Sequence, residues 1–264
     1  MTYRKYERSK PYQPGQAAAY KISRSKIDLF VQCRRCFWLN ARLKISRPST
    51  PPFTLNSAVD TLLKIEFDQH RVAGSQHPLQ SAYGIKARPV EHDQLNVWRE
   101  NFKGVQYLHE PTNLLITGAI DDLWQDQAGK YVVVDYKSTS KAEKIESIGE
   151  APWHSGYQRQ LEVYQWLLRQ NGLDVSSTGY WVYCNADKDK KAFDKKLEFD
   201  VTLIAYEGKD VWIEPTLSQM KACLESDKMP EVGKAVMEPT KDCEYCAYAK
   251  SRTQLTLEAL KIKK

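Results

Sequence analysis

The chain has 264 residues, of which 42% are hydrophobic and 27% are charged, and its formal net charge is +6 at pH 7. This length and apolar content suit one α/β domain with insertions and exclude a wholly disordered chain. The sequence shows neither a secretory signal nor a long apolar span, so we expect a cytoplasmic protein with no membrane partner.

The N-terminal segment is basic and aromatic, and we expect residues 1–18 to form a flexible arm. Lysine and arginine bind phosphates and aromatic rings stack on unpaired bases, so contact with a nucleic acid is the alternative to a purely solvated arm. The basic and tyrosine residues of this region are Arg4, Lys5, Arg8, Lys10, Lys21, Arg24 and Lys26, with Tyr3, Tyr6, Tyr12 and Tyr20. We expect one domain over residues 19–250 and a basic tail over residues 251–264.

Four of the six cysteines form two C-x-x-C pairs, Cys33 with Cys36 and Cys243 with Cys246. A reducing compartment disfavours disulfides. One such pair alone could be a redox pair, but two pairs near opposite ends of the chain favour a four-cysteine metal or cluster site that joins the terminal segments. The other two, Cys184 and Cys223, are expected to be ordinary buried thiols.

The stretch between the first cysteine pair and the middle of the chain contains few strong signals. The proline-rich residues 46–52 predict a linker, and residues 56–70 predict a helix that carries Asp60. Residues 72–92 lack periodicity and predict a loop, and residues 91–102 predict a further helix.

A β-hairpin is predicted next, with strands over residues 114–124 and 131–137 and a turn over residues 126–130. The second strand contains three consecutive valines that lead directly into Asp135, which places this carboxylate at the rim of a buried strand. Gly118 in the first strand allows a close approach of backbone or ligand.

The hairpin carries two aspartates and a lysine that could share one site. Side chains alternate along a strand, so Asp135 and Lys137 lie on one face. If Gln125 pairs with Tyr131, Asp121 lies directly opposite Asp135. Facing carboxylates repel each other, and a divalent cation between them would turn this repulsion into binding. We interpret these residues as a metal-dependent phosphodiester-cleaving site; the alternative is a set of solvated surface charges.

A helix is predicted over residues 156–170, because Tyr157, Leu161, Tyr164 and Leu168 recur on one face. Gln160 lies four residues before Tyr164 and shares its side of the helix. Spacing alone favours a helix that packs on the sheet. Strands over residues 179–184 and 196–204, joined by a charged turn, and a helix over residues 214–226 complete a predicted mixed central sheet flanked by helices.

Together these residues resemble the PD-(D/E)XK nuclease superfamily, and in particular its RecB-like branch. Its motifs are G-x-x-D, (D/E)-x-K and Q-x-x-x-Y, which correspond here to Gly118 with Asp121, Asp135 with Lys137, and Gln160 with Tyr164. The resemblance implies a restriction-endonuclease-like α/β fold and hydrolysis of DNA with Mg²⁺ or Mn²⁺.

The resemblance also implies roles for these residues. Asp121 and Asp135 would bind the metal ion, together with the backbone carbonyl of Tyr136. Lys137 would position the nucleophile. The pair on the helix, Gln160 and Tyr164, would contact DNA near the cleaved bond.

The early helix departs from the pattern of the family, in which a glycine precedes a metal-binding histidine or glutamate. Asn56 occupies the place of the glycine and Asp60 that of the histidine. An aspartate oxygen suits Mg²⁺ at least as well as imidazole does. The alternative is that Asp60 is a solvated or capping residue and that Glu66, or no residue, supplies the ligand.

The cysteines resemble those of relatives with an iron–sulfur staple, the CRISPR-adaptation exonucleases and the AddB nuclease subunit. Those relatives have one N-terminal and three C-terminal cysteines, whereas this chain has two and two, with Arg252 about where a third would fall. The resemblance implies a [4Fe–4S] cluster, with Zn²⁺ as the alternative because four cysteines serve both. It also implies an exonuclease acting on single-stranded or unwound DNA ends, with a helicase or CRISPR-adaptation protein as a partner. A catalytically silent DNA-binding or assembly subunit is the rival interpretation.

Overall fold

The computed structural model of the protein describes residues 10–49, 51, 53–143, 145–149 and 154–262. In this part of the chain there are eight strands: β1 Tyr20–Ser23, β2 Ala87–Pro89, β3 Val105–His109, β4 Leu114–Gly118, β5 Asp122–Asp126, β6 Tyr131–Thr139, β7 Thr178–Ala186 and β8 Phe199–Glu207. Eight α-helices accompany them there: α1 Arg24–Gln32, α2 Arg34–Leu43, α3 Thr54–Ala73, α4 Pro78–Ala82, α5 Leu95–Trp98, α6 His154–Gln170, α7 Ile213–Glu225 and α8 Glu244–Ile262. None of the helices in these ranges has the length and apolar content needed to cross a bilayer.

The chain divides into two compact units. The first is built from the described parts of residues 1–49, 109–114 and 214–264, and the second from those of residues 50–108 and 115–213. The predicted boundaries of arm, domain and tail stay predictions.

The second unit contains a mixed five-stranded sheet in the order β2-β5-β6-β7-β8. The central strands β6 and β7 are parallel, and the other pairs are antiparallel. On one face, Leu63 and Phe67 of α3 pack with Val134 and Val182 in a buried cluster. On the other face α6 approaches so closely that a side chain at Gly179 would meet Leu161 at 2.8 Å. The predicted mixed sheet flanked by helices is therefore confirmed.

The β-branched run of β6 explains why this strand lies at the centre of the sheet. Val132, Val133 and Val134 are at most 3% exposed, and β-branched side chains fit a pleated surface that is covered on both sides. Burial of each such side chain contributes about 1.5–3 kcal/mol. Alternation then directs Val134 to the α3 face and Asp135 to the α6 face.

The first predicted hairpin strand is wrong as a single element. Residues 114–124 form two strands, β4 and β5, which belong to different sheets. The strand β4 belongs to a separate three-stranded sheet and ends at Gly118. The chain then passes through Ile120, which is fully buried and donates its N–H to the carbonyl of Trp98 at 3.1 Å. An alternating pattern cannot show that a strand changes partners, because both halves alternate.

Two other predictions upstream of the hairpin are also wrong. Residues 72–92 contain α4 and the edge strand β2, and the helix predicted over residues 91–102 is reduced to the single turn of α5. The start of α4 is a capping box in which His77 Nδ1 accepts the N–H of Leu79 and Gln80 Oε1 accepts the N–H of His77. A histidine cap lies outside the Ser, Thr, Asp and Asn set on which sequence patterns depend.

In the first unit, Tyr12 is buried although most of the residues next to it in the chain are exposed. Tyr12 is 1% exposed, its hydroxyl donates to Glu225 at 2.5 Å, and the N–H of Gly15 donates to the same carboxylate at 2.8 Å. The flexible arm over residues 1–18 stays a prediction. Residues 1–9, with Arg4, Lys5 and Arg8, lie outside the described residues, as do residues 263–264 of the predicted tail. The rest of that tail continues α8 as far as Ile262.

Candidate active site and cysteine cluster

The hairpin of β5 and β6 places the two predicted metal-binding aspartates side by side. Gln125 pairs with Tyr131 and Asp122 with Val134, which is the register that puts Asp121 opposite Asp135. The N–H of Tyr136, next to Asp135, donates to Asp121 Oδ2 at 2.9 Å. The role predicted for the carbonyl of Tyr136 stays a prediction.

The electrostatics of Asp121 reflect this crowding. Burial raises the pKa of Asp121 to about 6, and repulsion from Asp135 adds to the effect of burial. The ammonium groups of Lys137 and Lys64 act in the opposite direction, as does the N–H bond from Tyr136. Two carboxylates and two ammonium groups therefore meet at this end of the sheet.

Asp135 is fully buried, and its Oδ1 accepts no hydrogen bond from the described residues. Its charge is balanced by an ion pair with Lys137. Burial of a carboxylate with one oxygen left without a donor is costly, so stability alone does not account for this side chain. Its oxygen lone pairs are the hard donors that Mg²⁺ and Mn²⁺ prefer, and the residues present therefore fit a divalent cation.

Asp60 is connected to Asp121 through Lys64 on α3. The Lys64 ammonium lies 2.9 Å from Asp60 Oδ2 and 3.7 Å from Asp121 Oδ1. Burial raises the pKa of Asp60, and repulsion from Asp121 raises it further. The fold thus places Asp60 near the other two candidate ligands, Asp121 and Asp135. It also adds Lys64, which the sequence analysis missed.

The alternative ligand Glu66 lies elsewhere. Its side chain is 56% exposed and accepts a hydrogen bond from His77 Nε2 at 2.8 Å. Asn56, in the place of the family's glycine, donates its side-chain amide to the carbonyl of Ser138 at 2.9 Å, close to the end of β6. Asp60 is therefore the better candidate for a third carboxylate ligand.

Lys137 begins a chain of polar contacts that reaches the two predicted DNA-binding residues. Its ammonium lies 3.3 Å from Gln160 Oε1, and Gln160 Nε2 lies 3.0 Å from the Tyr164 hydroxyl. The same ammonium lies over the ring of Tyr157, 4.8 Å from its centroid. Tyr157 is a site residue that the sequence analysis treated only as part of an apolar helix face, although it lies one turn before Gln160.

Gly118 makes room for Tyr164. A Cβ at Gly118 would meet the Tyr164 ring at 2.7 and 2.9 Å, so the close approach expected at this glycine is that of an aromatic ring. We expect Gly118→Ala to lower the free energy of unfolding by about 1–3 kcal/mol, because the buried ring cannot retreat without repacking. Chemical denaturation followed by circular dichroism measures the loss.

The control for Gly118→Ala lies on the helix that carries Tyr164. Gly156→Ala places its Cβ no closer than 4.0 Å to another residue, and alanine favours a helix over glycine by about 1 kcal/mol. This variant should be as stable as the wild type or slightly more stable. Equal stability of Gly118→Ala and wild type would contradict the packing argument.

A second buried aspartate, Asp122, organises a polar network that no sequence motif indicated. It is fully buried and accepts five hydrogen bonds. The donors are the guanidinium groups of Arg71 and Arg99, the indole of Trp124, the hydroxyl of Tyr136 and the N–H of Leu123.

The network also fixes the backbone of the candidate active site. Arg99 Nε donates to the carbonyl of Asp121 at 3.1 Å, while its terminal nitrogen binds Asp68 at 2.9 and 3.0 Å. The neighbouring residues Asp121 and Asp122 thus have different surroundings. Asp121 lies beside Asp135 in the candidate metal site, whereas Asp122 accepts hydrogen bonds from two arginines.

In the first unit the four paired cysteines meet at the starts of two helices. Cys33 caps α2 and Cys36 lies in its first turn; Cys243 directly precedes α8 and Cys246 lies in its first turn. Their four sulfur atoms lie within 4.8 Å of one another, and no other group of three or more His, Cys, Asp or Glu ligand atoms in the described ranges is so close. The predicted convergence of the two pairs is confirmed. Cys184 and Cys223 are unpaired thiols outside this cluster, the first buried and the second half-buried.

Two N–H donors point at the cluster. The N–H of Gly233 lies 3.3 Å from Cys33 Sγ, and the guanidinium of Arg47 lies 3.6 Å from Cys243 Sγ. Hydrogen bonds, first from the Cys36 thiol and then from backbone N–H groups, lower the pKa of Cys33 to about 4. The hydrogen bond with Cys33 and burial raise the pKa of Cys36, and burial raises the pKa of Cys246. These surroundings therefore favour the thiolate, the form that binds metal ions, at Cys33.

A family model described as the PD-(D/E)XK nuclease superfamily matches residues 56–251. The matched range includes the three aspartates Asp60, Asp121 and Asp135. It also includes the second cysteine pair but not the first. No curated protein matches the chain.

Proposed function

The chain belongs to the PD-(D/E)XK nuclease superfamily, and we propose that it is a Mg²⁺- or Mn²⁺-dependent deoxyribonuclease that hydrolyses phosphodiester bonds. One observation carries the proposal: Asp135 is fully buried opposite Asp121, with Oδ2 ion-paired to Lys137 and Oδ1 without a donor among the described residues. A purely structural carboxylate would be satisfied by donors, as Asp122 is on the adjacent strand.

The proposed roles follow from what each side chain contacts. Asp121, Asp135 and Asp60 would hold the metal ion, with the carbonyl of Tyr136 as a further ligand. A divalent cation bound there would supply polarisation of the phosphoryl oxygen and a lower pKa for a bound water. Lys137 holds the attacking water and offsets the charge that develops on phosphorus.

The substrate side of the proposal rests on Gln160 and Tyr164. Gln160 joins Lys137 to the Tyr164 hydroxyl, so both residues can contact DNA beside the reacting phosphate. By its resemblance to the RecB-like branch, the enzyme is an exonuclease acting on single-stranded or unwound ends, with a helicase or CRISPR-adaptation protein as partner. Six cysteines without a disulfide suit a reducing compartment, which we take to be the cytoplasm.

A second candidate function is a catalytically silent DNA-binding or assembly subunit. The specific observation in its favour is the Lys64 ammonium, which contacts both Asp60 and Asp121 and so balances part of the charge that a metal ion would balance. The two functions differ in a single measurable property, cleavage in the presence of a divalent cation.

The test is cleavage of end-labelled single- and double-stranded DNA by anaerobically purified protein with Mg²⁺, Mn²⁺ or EDTA. We expect cleavage with metal and none with EDTA, and the position of the label reports the polarity. Lys137→Ala should lower the rate by about 10²–10³-fold, since one charge-stabilising donor is lost.

The matched control is Lys130→Ala, in the turn of the same hairpin, where the ammonium is 3.5 Å from Asp174 and half-exposed. It should cleave like the wild type. Full activity of Lys137→Ala, or of wild type in EDTA, would refute the assignment. DNA binding without cleavage in either metal would establish the silent subunit instead.

A further inference from the structure

The four-cysteine cluster has a spacing that matches one of its candidate occupants. The sulfur atoms of Cys33 and Cys246 are 3.8 Å apart, those of Cys36 and Cys243 are 3.8 Å apart, and those of Cys36 and Cys246 are 3.6 Å apart. All four lie within 4.8 Å of one another. Four thiolates around one Zn²⁺ at about 2.3 Å form a tetrahedron whose edges are about 3.8 Å.

An iron–sulfur cluster needs more room than this. In a [4Fe–4S] cluster each cysteine binds a different iron, and the sulfurs point outward from a core of four irons and four sulfides. Four sulfurs that diverge from separate irons are necessarily farther apart than four that share one ion. We therefore propose that Cys33, Cys36, Cys243 and Cys246 hold a single Zn²⁺ ion.

The local backbone supports a closed site for one ion. Each pair supplies one cysteine immediately before a helix and one from its first turn, so both pairs present their sulfurs at a helix N-terminus. The helix dipole favours thiolates there, and the short C-x-x-C bite directs both sulfurs of a pair to one point.

The groups around the sulfur atoms can stabilise thiolates bound in this way. A Cβ at Gly233 would meet Cys33 Cα at 2.7 Å, so only glycine lets the segment before Cys243 come close enough to donate its N–H. Arg47 contacts Cys243 Sγ and also lies over the Tyr245 ring, 4.4 Å from its centroid. Four thiolates and one Zn²⁺ leave a double negative charge, which this guanidinium partly balances.

Four protein ligands leave no open position, so the proposed ion is structural and not hydrolytic. It joins the chain around residue 33 to the chain around residue 243. The inference goes beyond the proposed nuclease function, because it concerns other residues and needs no cleavage to be tested.

The experiment is elemental analysis of anaerobically purified protein together with acid-labile sulfide determination. We expect about one zinc per chain, no stoichiometric iron or sulfide, and a colourless solution. Anaerobic replacement by Co²⁺ should give the visible absorption of tetrahedral cobalt thiolate. Stoichiometric iron and sulfide, or failure of the metal-free protein to take up one Zn²⁺ or Co²⁺, would overturn the proposal.

Variants locate the ion. Zinc should remain in Asp135→Ala, which lacks a candidate catalytic ligand, and in Cys223→Ser, which lacks a thiol outside the cluster. Cys33→Ser and Cys246→Ser should lose zinc and melt at lower temperature, because metal binding is here part of folding. If these variants do not fold, Cys246→His should retain zinc, since three cysteines and one histidine also bind it. Zinc that is lost from Asp135→Ala, or lost from Cys246→His that folds, would contradict the assignment.

Discussion

Asp135→Asn is expected to lower metal-dependent cleavage by on the order of 10³-fold while it changes the free energy of unfolding by no more than about 1 kcal/mol. The amide keeps the shape of the side chain but loses the charge that a divalent cation needs. The substitution loses the ion pair with Lys137, but it also relieves the repulsion between Asp135 and Asp121, and no donor among the described residues is lost at Oδ1. Lys137 keeps Asp121 as a neighbouring charge and Gln160 as a hydrogen-bond partner.

This combination separates a functional carboxylate from a structural one. A structural role would make the loss of activity follow the loss of folded protein. The measurement pairs a cleavage assay with urea denaturation on the same preparation, and DNA affinity is determined in EDTA so that binding is separated from chemistry. Asp126→Asn, at the far end of β5, is the control that should change neither metal dependence nor rate. Wild-type activity in Asp135→Asn would remove Asp135 from the reaction.

The geometry of the hairpin could be predicted because it depends on local information. A five-residue turn between Gln125 and Tyr131 fixes the register, and the register alone places Asp121 opposite Asp135. The valine run of β6 identified a buried central strand for the same reason. Strand direction, alternation and turn length are properties of neighbouring residues.

Other parts of the site depend on contacts between distant residues and were not predictable. Whether Asp60 or Glu66 lies near Asp121 is decided by where α3 crosses the end of the sheet and by His77 on an unforeseen helix, which binds Glu66. The partners of Asp122 are equally remote, since Arg71 ends a helix and Arg99 follows a single turn. No spacing rule connects these positions.

The cysteine site lies between these extremes. Thiol chemistry and two C-x-x-C pairs were sufficient to predict that the pairs converge. The occupant depends on the distances between sulfurs, which differ between one shared ion and four separate irons and which the intervals along the chain do not determine. The proposal of Zn²⁺ in place of the iron–sulfur cluster that the resemblance implied therefore rests on the three-dimensional spacing.

Asp122→Asn should have the opposite effect to Asp135→Asn, with a loss of about 3–5 kcal/mol in the free energy of unfolding. The substitution leaves the guanidinium groups of Arg71 and Arg99, which are only 6% and 10% exposed, without their shared buried counter-ion. Asp68 remains as a partner for both, but its side chain is 41% exposed and lies outside the buried network.

The two variants form a matched pair, since both replace a fully buried aspartate on adjacent strands by the same isosteric amide. Urea denaturation of both should show a large loss for Asp122→Asn alone. Cleavage measured well below its unfolding transition should fall less for Asp122→Asn than for Asp135→Asn, because Asp122 acts on the reaction indirectly. It binds Arg99, which donates to the Asp121 carbonyl, and it accepts the hydroxyl of Tyr136. Equal stability of the two variants would contradict the argument. It would mean that the hydrogen bonds accepted by Asp122 do not make it more important for stability than Asp135.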